Sequence, residues 1–161
     1  MSSPSERGRA TTVVVGLGND FRNDDGAGLA ALRLFRSRNV RGVQVVELRD
    51  DLTKLLDHLQ FASRAYIIDA VQSDSQPGTI HRIEATGKYF SPANLPRSTH
   101  GLSLRHLLEL ARLQGDLPAK LVIYGIEGER FDYGTTMNPA VREAIVHVVD
   151  NICSELEPDT R

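Results

Sequence analysis

Cysteine occurs once in the 161 residues, as Cys153. A lone cysteine forms no disulfide within the chain and builds no cysteine-based zinc site. Near the end of an amphipathic stretch it reads as a small core thiol. No apolar run approaches the roughly 20 residues that span a bilayer. Neither sign of charge dominates: 19 Lys and Arg face 21 Asp and Glu, a net charge of -2. No overall field therefore draws the chain onto nucleic acid or an anionic membrane. The opening MSSPSERGRA lacks the apolar core of a signal peptide, so residues 1–10 are expected to form a disordered tail. Without a disulfide framework, the cytoplasm is the expected compartment. With 40% hydrophobic residues, the remaining length suffices for one domain with a proper core, residues 11–157, expected to be a monomer.

What is present is an alternation of two periodicities. TTVVVG (Thr11–Gly16) is a β-branched run and predicts a buried strand. Asp25 to Ser37 predicts a helix, with Leu29, Leu32 and Phe35 on one face. Val43–Leu48 predicts a second strand. Asp51–Gln60 predicts a short helix capped by Asp50 or Asp51. Ala65–Val71 is a third, nearly all-apolar strand. The segment Gln76–Glu84 opens on Pro-Gly and follows too closely for a crossover helix, so its strand is expected to be antiparallel. Leu102–Leu113 predicts a third helix, Lys120–Glu127 a fifth strand, and Asn138–Leu156 a last helix with Pro139 in its first turn. The expected fold is a three-layer α/β/α sandwich, with a five-stranded, mostly parallel sheet and one antiparallel strand.

In such sheets ligands sit beyond the carboxyl ends of the parallel strands. The first strand ends in GLGNDFRNDDGAG. Its Gly16 and Gly18 begin a dinucleotide fingerprint, but the third glycine position holds Phe21. Asp24 and Asp25 would repel a phosphate from the helix that follows, so no nucleotide is expected. There is no G-x-S-x-G elbow and no H-E-x-x-H zinc motif. Of Asp24 and Asp25, one suffices to cap a helix, which leaves the other spare. Asp69 closes the nearly continuous apolar run of the third strand, where a charge needs a partner. His100 lies in a loop between Thr99 and Gly101, unlike His58, His106 and His147 on helices or His81 on a strand. Two carboxylates and an imidazole from separate strand ends form a half-site for a divalent metal, with positions open to substrate or water.

Four segments, VVVGLGNDFRNDDGAG, YIIDAVQSDSQPGTI, THGLSLRHLLELA and PAKLVIYGIEGERFDYGTTMNPAV, together resemble the maturation endopeptidases of nickel–iron hydrogenases, from Val13 to Leu156. The resemblance implies an endopeptidase that removes a short C-terminal peptide from the precursor of a hydrogenase large subunit. It implies that nickel is supplied by that precursor, held on substrate cysteines, rather than carried by the enzyme. It also implies Asp25, Asp69 and His100 as the catalytic and metal-reading residues. Adjacent residues on a helix point about 100° apart, so Asp24 is expected to be the helix cap. Gly16 and Gly18 would let backbone approach the substrate. Asn19 would contact the substrate or hold the turn.

Three positions depart from the family pattern. Asp25 stands where Glu is frequent. Thr99 replaces a proline before His100. LRDDLT (Leu48–Thr53) replaces a glycine-rich stretch implicated in reading the substrate, so Asp50 and Asp51 become candidate substrate contacts or helix caps. Two other readings compete. VVVGLGN also resembles the opening of peptidyl-tRNA hydrolases, but that family's next Pro-Gly is replaced by Asp20-Phe21 and its downstream histidine is missing. The altered loop also allows a non-catalytic docking or metal-sensing relative.

Overall fold

The computed structural model describes residues 11–49, 51–85, 90–96 and 101–157. Five strands form one sheet: β1 (Thr12–Leu17), β2 (Val43–Leu48), β3 (Arg64–Val71), β4 (Ile80–Glu84) and β5 (Lys120–Glu127). Their spatial order is β2-β1-β3-β5-β4, parallel except for the edge strand β4, which runs against β5. Four helices complete the fold: α1 (Ala27–Ser37), α2 (Thr53–Gln60), α3 (Gly101–Gln114) and α4 (Pro139–Leu156).

Alternation along each strand sorts side chains to two faces. Val14, Tyr66, Ile68, Tyr124 and Ile126 pack with α1 and α4 in one core. Val15, Ile67, Leu121 and Ile123 pack with α2 and α3 in the other. The central strands are buried on both faces, which explains their continuous apolar sequences. Each fully buried aliphatic or aromatic side chain contributes roughly 1.5–3 kcal/mol. The three-layer sandwich with one antiparallel strand is therefore the architecture observed.

The main departure lies at the start of α1. The periodicity predicts a helix from Asp25, but Asn23–Gly26 forms a separate 3-10 turn and α1 begins at Ala27. Asn23 takes a left-handed conformation, φ 49°, which asparagine tolerates better than most residues. At the other end of the chain, Asn138 caps α4 as its side chain accepts from the Ala140 amide at 2.8 Å, with Pro139 following.

Candidate active site

The strand order places a switch point between β1 and β3. From β1 the chain moves outward to β2, and from β3 it moves to the opposite side. Loops leaving two such strands diverge and open a crevice at their carboxyl ends. The β1–β3 ladder stops at Gly16 opposite Ile68. Asp69 is the next residue of β3, still paired with Gly125 of β5. The strand continues two residues beyond it, to Val71, so Asp69 sits inside the strand's last turn of pairing rather than at its tip.

The 3-10 turn Asn23–Gly26 lies against β3, and Asp25 belongs to that turn. Asp25 and Asp69 thus come to adjoining elements at the switch point. Both are 1% exposed. Asp69 also lines a cleft with Val71, Leu95, Pro96, Leu104 and Gly125. His100 and Asp50 lie outside the described residues. Pro96 and Leu104, on either side of the segment that contains His100 in the sequence, both border the cleft of Asp69. Among the described residues no three His, Cys, Asp or Glu side chains come together as a metal cluster. The two carboxylates offer hard oxygen donors, and a metal held there needs further donors from His100 or from the substrate.

Asp24 corrects the expectation of a helix cap. Neither the 3-10 turn nor α1 has a side-chain cap. The Asp24 carboxylate instead reaches across to the loop between β5 and α4. Its Oδ2 accepts from the amides of Glu129 (2.8 Å) and Arg130 (3.0 Å), and its Oδ1 accepts from the amide of Asn138 (2.8 Å). Its own amide donates to Arg130 O at 2.9 Å. Asn23 extends the clasp: its Oδ1 accepts from the Thr136 amide at 3.0 Å, and its Nδ2 donates to Asp132 O at 3.0 Å. Consecutive amides converging on one carboxylate form an anion-binding nest. Here the anion is supplied by the chain itself, and it fixes the residue next to Asp25.

The glycines have an internal task. A Cβ on Gly16 would lie 2.5 Å from Gly28 O, and one on Gly28 would lie 2.2 Å from Leu17 O and 2.4 Å from Ile68 O. Glycine at 16 and 28 therefore lets α1 rest directly on β1 and β3. Gly18 meets Asp25 O in the same way, at 2.2 Å. Asn19 holds the turn, its Oδ1 accepting from the Phe21 amide at 2.9 Å. Asp51 accepts from the Thr53 amide at 3.0 Å in the turn that leads into α2. The N-cap position of α2 is Leu52, however, and carries no side-chain cap, so Asp51 does not form the expected helix cap.

Over residues 31–155 the sequence matches the hydrogenase maturation protease family, HycI. The chain belongs to that family. It is accordingly an endopeptidase, a hydrolase of peptide bonds. The hydrogenase expression/formation protein HoxM of Cupriavidus necator is 31% identical over 144 residues, spanning 86% of this chain and 70% of HoxM. The [NiFe] hydrogenase maturation protease HybD from Thermococcus kodakarensis superposes with a TM-score of 0.75 at 28% identity, over 91% of this chain and 99% of that one. The hydrogenase maturating endopeptidase HybD from E. coli shares the fold, with a TM-score of 0.79 at 23% identity over 91% of each chain. The peptidyl-tRNA-hydrolase reading of VVVGLGN gives way to this family.

Two features of the protease escaped sequence reasoning. Glu127, at the end of β5, is 1% exposed and accepts from the amides of Ser73 and Ser75, both at 2.8 Å, and from the Ser73 hydroxyl at 2.8 Å. It ties the loop after β3 to β5. The signal was available, since an acid ending the apolar KLVIYGIE poses the same problem as Asp69. Asp20 bridges Arg33 (2.8 Å) and Arg49 (2.9 Å), which links the loop after β1 to α1 and to the end of β2. Its hydrogen bond to Arg33 holds the Asp20 carboxyl below its ordinary range, with partial burial opposing. Among the described residues no helix is long and apolar enough to cross a membrane.

Proposed function

We infer that this protease removes the C-terminal peptide from the nickel-loaded precursor of a hydrogenase large subunit. The observation that carries the reading is the placement of two buried acidic residues, Asp25 and Asp69, on adjoining elements where β1 and β3 diverge. Membership of the maturation protease family supports the same reaction. Nickel enters as part of the substrate. Thiolates of the precursor and the oxygen and imidazole donors of Asp25, Asp69 and His100 make a mixed set suited to a borderline ion. The metal then orients the scissile bond or polarises its carbonyl, and water adds across that bond to leave a new carboxylate and a free amine. Gly16, Gly18, Asn19, Asp50 and Asp51 are the residues proposed to contact the substrate chain. The enzyme acts as a cytoplasmic monomer.

The test is to incubate the purified protease with nickel-loaded and nickel-free precursor and to weigh the products. Release of the peptide from the loaded form alone is expected. Equal cleavage of both forms, or cleavage of neither, refutes the reading.

A further inference from the structure

Two large aromatic side chains stand in solvent at the carboxyl rim of the sheet: Phe21, 59% exposed, and Tyr133, 89% exposed. They belong to different loops, one leaving β1 and the other leaving β5, yet the backbone joins them. The Gly134 amide donates to Phe21 O at 2.8 Å, and the Asn23 amide donates to Gly134 O at 2.9 Å. Arg22 and Gly134 form an isolated parallel bridge, and Arg22 Nε donates to Phe131 O at 3.0 Å. The Asp24 carboxylate locks the same two loops from beneath. These aromatics are therefore presented on an ordered backbone, and little loop entropy remains to be lost on docking.

Single exposed apolar residues are ordinary on protein surfaces. This pair differs in its setting, because Phe21 lies four positions from Asp25 in the same clasped loop. A protein that presents a peptide bond to Asp25 has to approach the loop that carries Phe21. Exposed aromatics held in fixed positions beside such a path are the usual anchors of protein–protein recognition. The other strongly exposed aromatic among the described residues, Phe61 (77%), is at the amino end of the sheet, where Thr11 Oγ1 donates to its carbonyl.

We propose that Phe21 and Tyr133 anchor the folded body of the precursor protein, as a docking surface separate from the residues that handle the scissile bond. The occupant is a protein surface with an apolar patch close to its C-terminal peptide. The proposal rests on the processing reaction inferred above. It commits to recognition of the folded substrate through aromatic contacts, beyond the contacts with the peptide itself.

The test compares wild type, Phe21→Ala, Tyr133→Ala, the double variant and Phe61→Ala on nickel-loaded full-length precursor. Both steady-state cleavage and calorimetric binding are read. The substituted side chains are exposed, so thermal unfolding is expected to be unchanged. Each rim variant is expected to raise KM and weaken binding by roughly tenfold, with kcat within about twofold, whereas Phe61→Ala matches wild type. Unchanged KM and affinity in the double variant overturn the proposal, as does a fall in kcat at unchanged affinity. If wild type binds the precursor without cleaving it, the processing reading fails, and the calorimetric comparison alone decides the docking surface. Absence of wild-type binding overturns both.

Discussion

Replacing Asp24 is the sharpest probe of how the site is held. Its two oxygens accept from three backbone amides, and the residue is 1% exposed. Asp24→Ala strands those donors in a place water does not reach. A buried unsatisfied donor costs about 1–3 kcal/mol, and more where the lost acceptor is charged. Partial relaxation keeps the three from adding fully, so a loss of roughly 3–5 kcal/mol is expected. For a protein of this size that corresponds to a fall in Tm of roughly 6–20 °C. Asp24→Asn tests the geometry more finely. One carbonyl oxygen can keep the Glu129 and Arg130 pair or the Asn138 amide, and the new NH2 then faces a donor. About half the loss is expected. Urea unfolding gives both values, and hydrogen exchange at Glu129, Arg130 and Asn138 reports the local change. If Asp24→Asn lies within about 0.5 kcal/mol of wild type, a surface-like value, the carboxylate is not holding the loops and the reasoning fails.

Asp69→Asn is nearly isosteric and is expected to cut precursor processing by at least about a hundredfold while far-UV circular dichroism stays that of wild type. Retained activity removes Asp69 from the chemistry. Gly28→Ala puts a methyl group against Leu17 O and Ile68 O and forces α1 off the sheet. A loss of about 3 kcal/mol or more in denaturant unfolding is expected. The Asp20 contribution should depend on pH with a defined sign. A carboxyl held below its ordinary value of 3.8 contributes stability that is complete above that value and disappears as pH falls through the folded-state value. The gap between wild type and Asp20→Asn is thus expected to be flat above about pH 5 and to close in acid. Because the pair is partly exposed, that gap should not exceed about 1 kcal/mol. Urea titrations at several pH values read it directly.

The sheet was legible because buried parallel strands carry long apolar runs. Lys120–Glu127 and Val43–Leu48 fall where the periodicity predicts them. The antiparallel edge strand followed from the short connection after β3. The 3-10 turn was hidden, because it depends on Asn23 adopting positive φ and no local pattern signals that choice. The work of Asp24 was hidden for a different reason. Its partners lie more than a hundred positions away, and a carboxylate before a helix looks like a cap until the distant loop is in place. The burial of Asp69 was legible from a single physical oddity, an acid near the end of an apolar strand. The same oddity at Glu127 went unread, and there it marks a buried anchor for the amides of Ser73 and Ser75. The glycines were legible as close-approach positions, and the protein's own backbone approaches them: Gly28 of α1 at Gly16, and Asp25 of the 3-10 turn at Gly18.

The clasp also fixes when the loop after β1 takes its final shape. Asp25 is positioned by a neighbour whose partners include Asn138, the residue that caps the final helix. Synthesis of β1, its loop and even β3 leaves those amides unmade. A nascent chain therefore carries this loop long before its partners exist, and the loop hardens only when the last third of the polypeptide folds back. The order of the loop beside Asp25 is thus conferred by the carboxyl-terminal part of the fold and not by its neighbours in sequence.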